Sequence, residues 1–473
     1  VNTGIRVGDR AEAVQINMPV ESDKPVRWAT SAEVGLALGI EKIRLPIPAG
    51  LIEMSNGSSV PVMVDADYLL GPEAAHINVS GISGLATKTS YMAFLLQSIV
   101  QRIGKENVAL IVFNVKQQDL LHLHEKPDDL DQRDLRLYEK LGLEPKAFEN
   151  VTYFLPRGET GQPNSDHVPS KHRVYAYELS DVYDRVDLLF SEVSDPEYTM
   201  ASILEYIRES WPLRYRNDVQ RDDKVLRRKG QPVNTWRDLL LYEDFPHEVV
   251  TSPKSLGKFR RHLRRLATPG LFPESRGTGV YLGEEITQIK AGDVFVVDIN
   301  RIGSTEEQAF IIGDVMRSID EMYSEKESGI PARIIILIDE LNRYSPRRAV
   351  PTAVGEQVIE IARAGRSRGT ILFGAEQFKS AVHDQVHDNS GTHVIGRTGS
   401  SELASAPYAF LDRETKMNIT RLGKGELVLS HATFRQPVKI VFPKPAYRRP
   451  PIGEERGEES GKATRPLYLG AKR

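Results

Sequence analysis

The stretch Ser80-Gly-Ile-Ser-Gly-Leu-Ala-Thr-Lys88-Thr89 decides how the chain is read. It sits between a short apolar run, His76-Ile-Asn-Val-Ser80, and an amphipathic segment that the spacing predicts as a helix from about Thr89 to Ile103. A loop that wraps phosphates needs small residues, so that backbone N–H groups can turn inward. It also needs a lysine to reach the outer phosphate oxygens and a hydroxyl to hold Mg²⁺, all at a helix N-terminus. Gly81, Ser83, Gly84, Ala86 and Thr87 are the candidates for the cradle, Lys88 for the phosphate contact and Thr89 for the metal. The spacing departs from G-x-x-x-x-G-K-[ST], which would place glycine at 82 and 87, where Ile82 and Thr87 stand. Taken alone, the segment fits either a nucleotide loop or a Gly/Ser turn with a solvated lysine.

Working outward, Val108-Ala-Leu-Ile-Val-Phe-Asn114 reads as a second strand, giving a strand–loop–helix–strand unit and hence a parallel sheet with a right-handed crossover. Further continuous apolar runs follow at Val294-Phe-Val-Val-Asp298, Arg333-Ile-Ile-Ile-Leu-Ile338 and Thr370-Ile-Leu-Phe-Gly374. Such runs are expected of strands covered on both faces. Helices are expected between them, at Glu306 to Tyr323 and Gly355 to Ala364. The third run ends in Asp339 and Glu340, and ligands in open parallel sheets gather at the carboxyl ends of strands. Asp339 is placed to hold Mg²⁺ and Glu340 to orient or deprotonate a water. A strand that merely ends at solvent accounts for one carboxylate more easily than for two after five aliphatics.

The rest of the composition narrows the class. The 473 residues carry 62 basic and 65 acidic side chains, a net charge of −3, so any nucleic-acid contact must come from a local patch. Hydrophobic residues make up 40%, enough for sizeable cores. The absence of cysteine excludes disulfides, thiolate nucleophiles and Cys-based metal sites. No apolar run approaches the ~20 residues of a membrane span, and Val1-Asn-Thr-Gly4 has no signal-peptide character. A cytoplasmic protein without membrane contact is the expectation. Asn56-Gly57 between Ile43-Arg-Leu-Pro-Ile-Pro and Val60-Pro-Val-Met-Val signals a hairpin, and residues 1–64 read as a small β-barrel-like domain. The α/β core is expected over 65–116 and 285–443, a mainly helical insertion over 117–284, and an extended tail over 444–473. Within the insertion, Val151-Thr-Tyr-Phe-Leu and Val174-Tyr-Ala-Tyr are short enough and apolar enough to return as strands.

A third cluster, Ile361-Ala-Arg363-Ala-Gly-Arg366-Ser-Arg368-Gly369, leads into the strand that ends in Gln377. With the acidic pair, it resembles the HerA/FtsK superfamily of ring-forming DNA-pumping ATPases, and HerA most closely. Val60-Pro-Val-Met-Val-Asp65 with Leu69, Leu70 and His76, Gly292-Asp-Val-Phe-Val-Val-Asp298, and Leu422-Gly-Lys-Gly-Glu426 with Pro437-Val-Lys-Ile are also similar to the family. The resemblance covers roughly 1–115 and 285–443. It implies a RecA-like P-loop core that uses ATP and Mg²⁺, assembled as a homo-hexamer with nucleotide at subunit interfaces. It implies that Gln377 senses the γ-phosphate and that Arg363, Arg366 or Arg397 reaches a neighbour's site, where a cation offsets transition-state charge. It also implies double-stranded DNA as partner, with a NurA-like nuclease or another effector in DNA end processing or antiviral defence. The sequence departs from the family at the phosphate loop and after the second strand, where Asn114-Val-Lys116-Gln-Gln replaces its acidic residues.

Three functional readings follow. The first is a DNA translocase or helicase driven by ATP. The second, motivated by the altered loop, is a nucleotide-binding ring scaffold with weak hydrolysis that regulates an effector. The third is a conjugation- or secretion-type ATPase of the same superfamily. Ser255 to Leu266 reads as a helix whose Lys258, Arg261 and Arg265 form a basic face, suited to phosphates or to an acidic neighbour. Arg214-Tyr-Arg216 and Arg227-Arg-Lys229 carry the same ambiguity.

Overall fold

The computed structural model describes residues 3–7, 11–15, 27–39, 43–82, 87–116, 118, 120–190, 199–209, 226–250, 253–266, 270–274, 279–325, 329–347 and 352–450. Twelve strands form one sheet: β1 (Pro46–Glu53), β2 (Ser59–Asp65), β3 (Ile77–Ser80), β4 (Val108–Asn114), β5 (Val151–Pro156), β6 (His172–Tyr175), β7 (Val294–Asp298), β8 (Arg333–Ile338), β9 (Thr370–Glu376), β10 (Thr392–Ile395), β11 (Glu426–His431) and β12 (Val438–Val441). Their order is β2-β1-β12-β11-β10-β3-β9-β8-β4-β7-β5-β6. The run from β10 to β6 is parallel throughout, and the other end is an antiparallel meander.

The parallel strands form because their residues can be buried on both faces. Successive side chains of a strand point to opposite sides. On β8, Ile334, Ile336 and Ile338 enter one apolar core and Ile335 and Leu337 the other. On β4, Ala109, Ile111 and Phe113 alternate in the same way with Val108, Leu110 and Val112. Each fully buried Ile or Leu stabilises the fold by roughly 1.5–3 kcal/mol relative to exposure. The main helices are α1 (Thr87–Ile103), α2 (Gln132–Leu141), α3 (Pro253–Leu266), α4 (Thr305–Glu325) and α5 (Ala353–Glu360). α1 packs through Tyr91, Phe94 and Leu95 on one face of the sheet, and α4 through Phe310, Ile311 and Val315 on the other.

β3, which leads into the phosphate-loop segment, lies next to β9, and β9 separates it from β8, which ends in the acidic pair. This interposed strand is the RecA-like arrangement expected of the core. The two runs in the insertion do return as strands, since β5 and β6 extend the sheet beyond β7.

Two expectations need correction. Residues 46–65 do not stand apart as a small β-barrel. Their hairpin joins the large sheet through β12, and α1 holds it by Tyr91 Oη donating to Ala49 O at 3.1 Å and Ser98 Oγ to Pro48 O at 2.7 Å. A separate hairpin, Thr3–Val7 with Ala11–Gln15, precedes it. The extended tail also begins later than its polar composition implies. Ala446 and Tyr447 are buried, Ala446 N donates to Gln97 Oε1 at 2.9 Å, and Tyr138 Oη donates to Lys444 O at 2.8 Å. Positions 451–473 of that tail, and the Arg214-Tyr-Arg216 patch, lie outside the described residues. Among the described residues, no helix is long and apolar enough to cross a membrane.

Only one residue pair, Val441 with Leu51, links β12 to β1 in the ladder. A histidine reinforces that weak seam. Buried His431 at the end of β11 accepts the Asp65 backbone N–H on Nε2 at 3.0 Å, and its Nδ1 lies 2.8 Å from Thr392 Oγ1. Accepting on Nε2 requires the neutral ring, and burial holds its pKa down to about 4. The unfolded chain therefore takes up the proton first. The contribution of His431 is complete above pH ~6.5 and is lost as pH falls towards 4. Denaturant unfolding at pH 7.5 and 4.5 should show His431→Gln losing about 2 kcal/mol less stability than the wild type between the two pH values. Equal losses would show that the ring is not held neutral.

Candidate active site at the carboxyl edge of the sheet

The carboxyl ends of β3, β8, β9, β4 and β10 meet at one edge. Ser80 passes the chain to Gly81, whose φ of +149° leaves the backbone pressed against the end of β10. A Cβ there would stand 3.1 Å from Gly396 Cα, so only glycine fits without displacement. The loop entrance is clamped on both sides: Gly81 N donates to Glu376 O at 3.3 Å, Ile82 N to Arg397 O at 2.9 Å, and Gly396 N to Ser80 O at 2.7 Å. Ser83, Gly84 and Ala86 lie outside the described residues, as does the side chain of Thr87. α1 begins at Thr87, which puts Lys88 and Thr89 in the first turn, where free N–H groups favour anions.

Lys88 is buried and donates from Nζ to Gly81 O at 2.6 Å, bending back over the loop entrance. Burial lowers its pKa, opposed in part by the carboxylate of Asp339. Thr89 Oγ1 donates to Asp339 Oδ2 at 3.2 Å. This contact joins the two segments singled out in the sequence, 250 positions apart. Asp339 is 3% exposed and Glu340 8%, and the Glu340 N–H donates to Asp339 Oδ1 at 2.8 Å. Glu340 has φ +56°, a left-handed conformation that costs a non-glycine residue about 1–3 kcal/mol and recurs at functional sites. The turn aims its carboxylate back towards β4 and into an ion pair with Arg343 Nε at 2.6 Å.

Two residues that the sequence reading did not assign complete the site. Lys116, just beyond β4, places Nζ 3.2 Å from Asp339 Oδ2 and 3.0 Å from Glu340 Oε1. Burial alone would lower its pKa, but the two carboxylates outweigh burial and raise it. The signal was a lysine where the resembling family carries acidic residues. Glu376, the last residue of β9, is fully buried beneath the loop entrance, next to Gln377. Burial pushes its carboxyl up to about 8, against the pull of Lys379, the Asn78 amide and Lys88. Standing at the end of an apolar run, just before Gln377, it carries no sign of its burial in the sequence.

The arginines divide. Arg397, exposed at the end of β10, flanks the chain's own loop entrance. Arg363 and Arg366 precede β9, so they lie at the opposite edge of the sheet from Lys88 and Asp339. Arg363 Nη2 pairs with Glu360 at 2.6 Å, and Arg366 Nη1 donates to Glu73 O at 2.5 Å. Gln377 is half-buried at the carboxyl edge, one residue past β9. The side chains fit a divalent cation of the Mg²⁺ kind: Asp339 Oδ2 and Thr89 Oγ1 are hard oxygen donors facing each other at the start of a helix.

No known protein family and no curated protein matches the sequence. Among solved structures, VirB4 of Thermoanaerobacter pseudethanolicus aligns with a TM-score of 0.49 at 15% identity, over 85% of this chain and 96% of that one. The plasmid coupling protein TrwB in complex with the ATP analogue ADPNP aligns with a TM-score of 0.47 at 12% identity, over 79% and 86%. The genome-packaging NTPase of Sulfolobus turreted icosahedral virus 2 aligns with a TM-score of 0.26 at 11% identity, over 34% and 72%.

The buried acid generates a test. The pKa of Glu376 is higher folded, at about 8, than in the unfolded chain. The native state therefore holds a proton that the unfolded state releases, and stability falls as pH rises from ~4.3 through 8. Glu376→Gln keeps the shape and removes the titration. Unfolding free energies from pH 5 to 8.5 should fall less steeply in the variant, by about 2–4 kcal/mol across the range. Parallel profiles would mean that Glu376 is ionised in the fold.

Proposed function

We propose that this chain is a Mg²⁺-dependent ATPase whose assembled ring moves double-stranded DNA for a partner effector. The supporting observation is the convergence of Lys88, Thr89, Asp339 and Glu340 on one buried corner, closed by the 3.2 Å bond between Thr89 and Asp339. In this reading Lys88 leaves Gly81 O for the outer phosphate oxygens. Thr89 and Asp339 hold the cation, and Glu340 orients water and accepts its proton. Bound Mg²⁺ supplies positive charge that offsets the developing negative charge on the phosphates. In the same reading Gln377 reports the terminal phosphate to β9. One of Arg363, Arg366 and Arg397 serves the neighbouring subunit's site in a hexamer, and Arg363 and Arg366 are remote from their own.

The proposed DNA contact comes from exposed basic groups. On α3, Phe259 and Leu263 are buried while Arg261 and Arg265 are exposed, a face that binds phosphates without reading bases. The effector is a NurA-like nuclease or a defence protein supplied by another chain.

A second reading, a ring scaffold that binds nucleotide and turns it over slowly, is favoured by one observation. Lys116 and Arg343 both contact the carboxylate that would act as base.

The two readings part on one experiment. Steady-state ATP hydrolysis with and without linear duplex DNA should show stimulation in the wild type. Glu340→Gln should lower kcat on the order of 10²–10⁴-fold while ATP still binds, the usual scale for removing a general base. Effector activity that survives Glu340→Gln would favour the scaffold. Failure of the wild type to bind ATP would sink both.

A further inference from the structure

Lys116 stands where the two roles of the acidic corner meet. Its Nζ contacts Asp339 Oδ2, the oxygen that also accepts from Thr89, and Glu340 Oε1. One ammonium thus covers the oxygen suited to the divalent cation and the carboxylate suited to activating water. This is not a casual surface pair. Lys116 follows β4, whose residues are all buried, and β4 is registered on β8 from Val108 opposite Arg333 to Val112 opposite Leu337. The sheet therefore fixes the lysine's backbone beside the acidic pair, while its side chain, 35% exposed, is not enclosed there. A triphosphate entering at Lys88 would bring its terminal phosphate to this corner, with more negative charge than either carboxylate.

We propose that Lys116 is a cationic latch that binds the terminal phosphate. Without nucleotide it holds Asp339 and Glu340. With a nucleoside triphosphate it passes to the γ-phosphate, which frees Asp339 Oδ2 for the divalent cation and Glu340 for water. This rests on the reading of the corner as a triphosphate site. A diphosphate lacks the group that draws the lysine away, so Lys116 makes the protein prefer triphosphate over diphosphate. It also competes with divalent cations for Asp339 Oδ2.

The test uses the full chain as wild type, Lys116→Met and Lys116→Gln, with circular dichroism to establish that each is folded. Mn²⁺ binding to nucleotide-free protein is read by electron paramagnetic resonance. Affinities for a non-hydrolysable ATP analogue and for ADP are read by titration calorimetry. In both variants, nucleotide-free Mn²⁺ affinity should rise about tenfold, and the preference for the ATP analogue over ADP should fall about tenfold, the effect of one lost charge contact. If either quantity is unchanged in the folded variants, the latch is overturned while the nucleotide site stands. A wild type that binds neither nucleotide overturns the site reading and the latch together.

Discussion

Two adjacent carboxylates at the end of one buried strand set the terms for the rest of this structure. At an effective dielectric constant near 20, like charges about 4 Å apart repel by about 4 kcal/mol, and burial adds desolvation. Asp339 and Glu340 therefore need compensation from elsewhere in the chain. It arrives from three separate stretches: Thr89 in the first turn of α1, Lys116 after β4, and Arg343 three residues on. The order of the sheet answers the same need, because the strands that carry these groups must end at one edge around β8.

The interposed strand β9 sets β3 and β8 two strand spacings apart, about 9.6 Å. With β9 between them, the loop entrance and the acidic pair face each other across Glu376. An ionised carboxylate there would add a third negative charge. Burial raises its pKa to about 8 instead, so at neutral pH it adds little charge to the corner, while its backbone carbonyl accepts from Gly81 N. Below neutral pH the group is a neutral spacer beneath the loop, and above pH 8 it becomes a charge that the fold must tolerate.

Much of this was legible in the residues. The apolar runs at 108–114, 294–298, 333–338 and 370–374 gave the parallel strands, because double-sided burial leaves an unbroken hydrophobic signature. Lys88, Thr89, Asp339 and Glu340 were found by residue type at strand and helix ends. The misses have a common cause in non-local pairing. The hairpin at 46–65 reads as a free-standing unit, since nothing local says that β12, almost four hundred positions later, will take its edge. Lys116 looked like a loss of acidic ligands because its partners lie on a different strand. Residues 444–450 look like a polar tail, yet the contacts of Tyr138 and Gln97 with Lys444 and Ala446 draw them onto the core.

The cluster from Arg363 to Gly369 shows how a motif can carry two messages. Part of it is packing. Gly369 ends the helical segment in a left-handed conformation, φ +91°, and a Cβ on Gly365 would lie 2.5 Å from Thr370 O, so both glycines are required where the helix turns into β9. The arginines are not explained that way. β9 has seven residues, and at roughly 3.3 Å per residue it sets Arg363 and Arg366 about 20 Å from the corner that the same strand approaches at its far end. No side chain spans that distance, so neither can act on its own chain's site. Arg366 is committed to the carbonyl of Glu73, which fixes the turn before β3. Among the described residues Arg363 is held by a surface pair with Glu360, a contact worth little in water, and its side chain is 69% exposed. In the proposed ring, Arg363 is therefore the one of the two that a neighbouring subunit's phosphate could recruit at small cost.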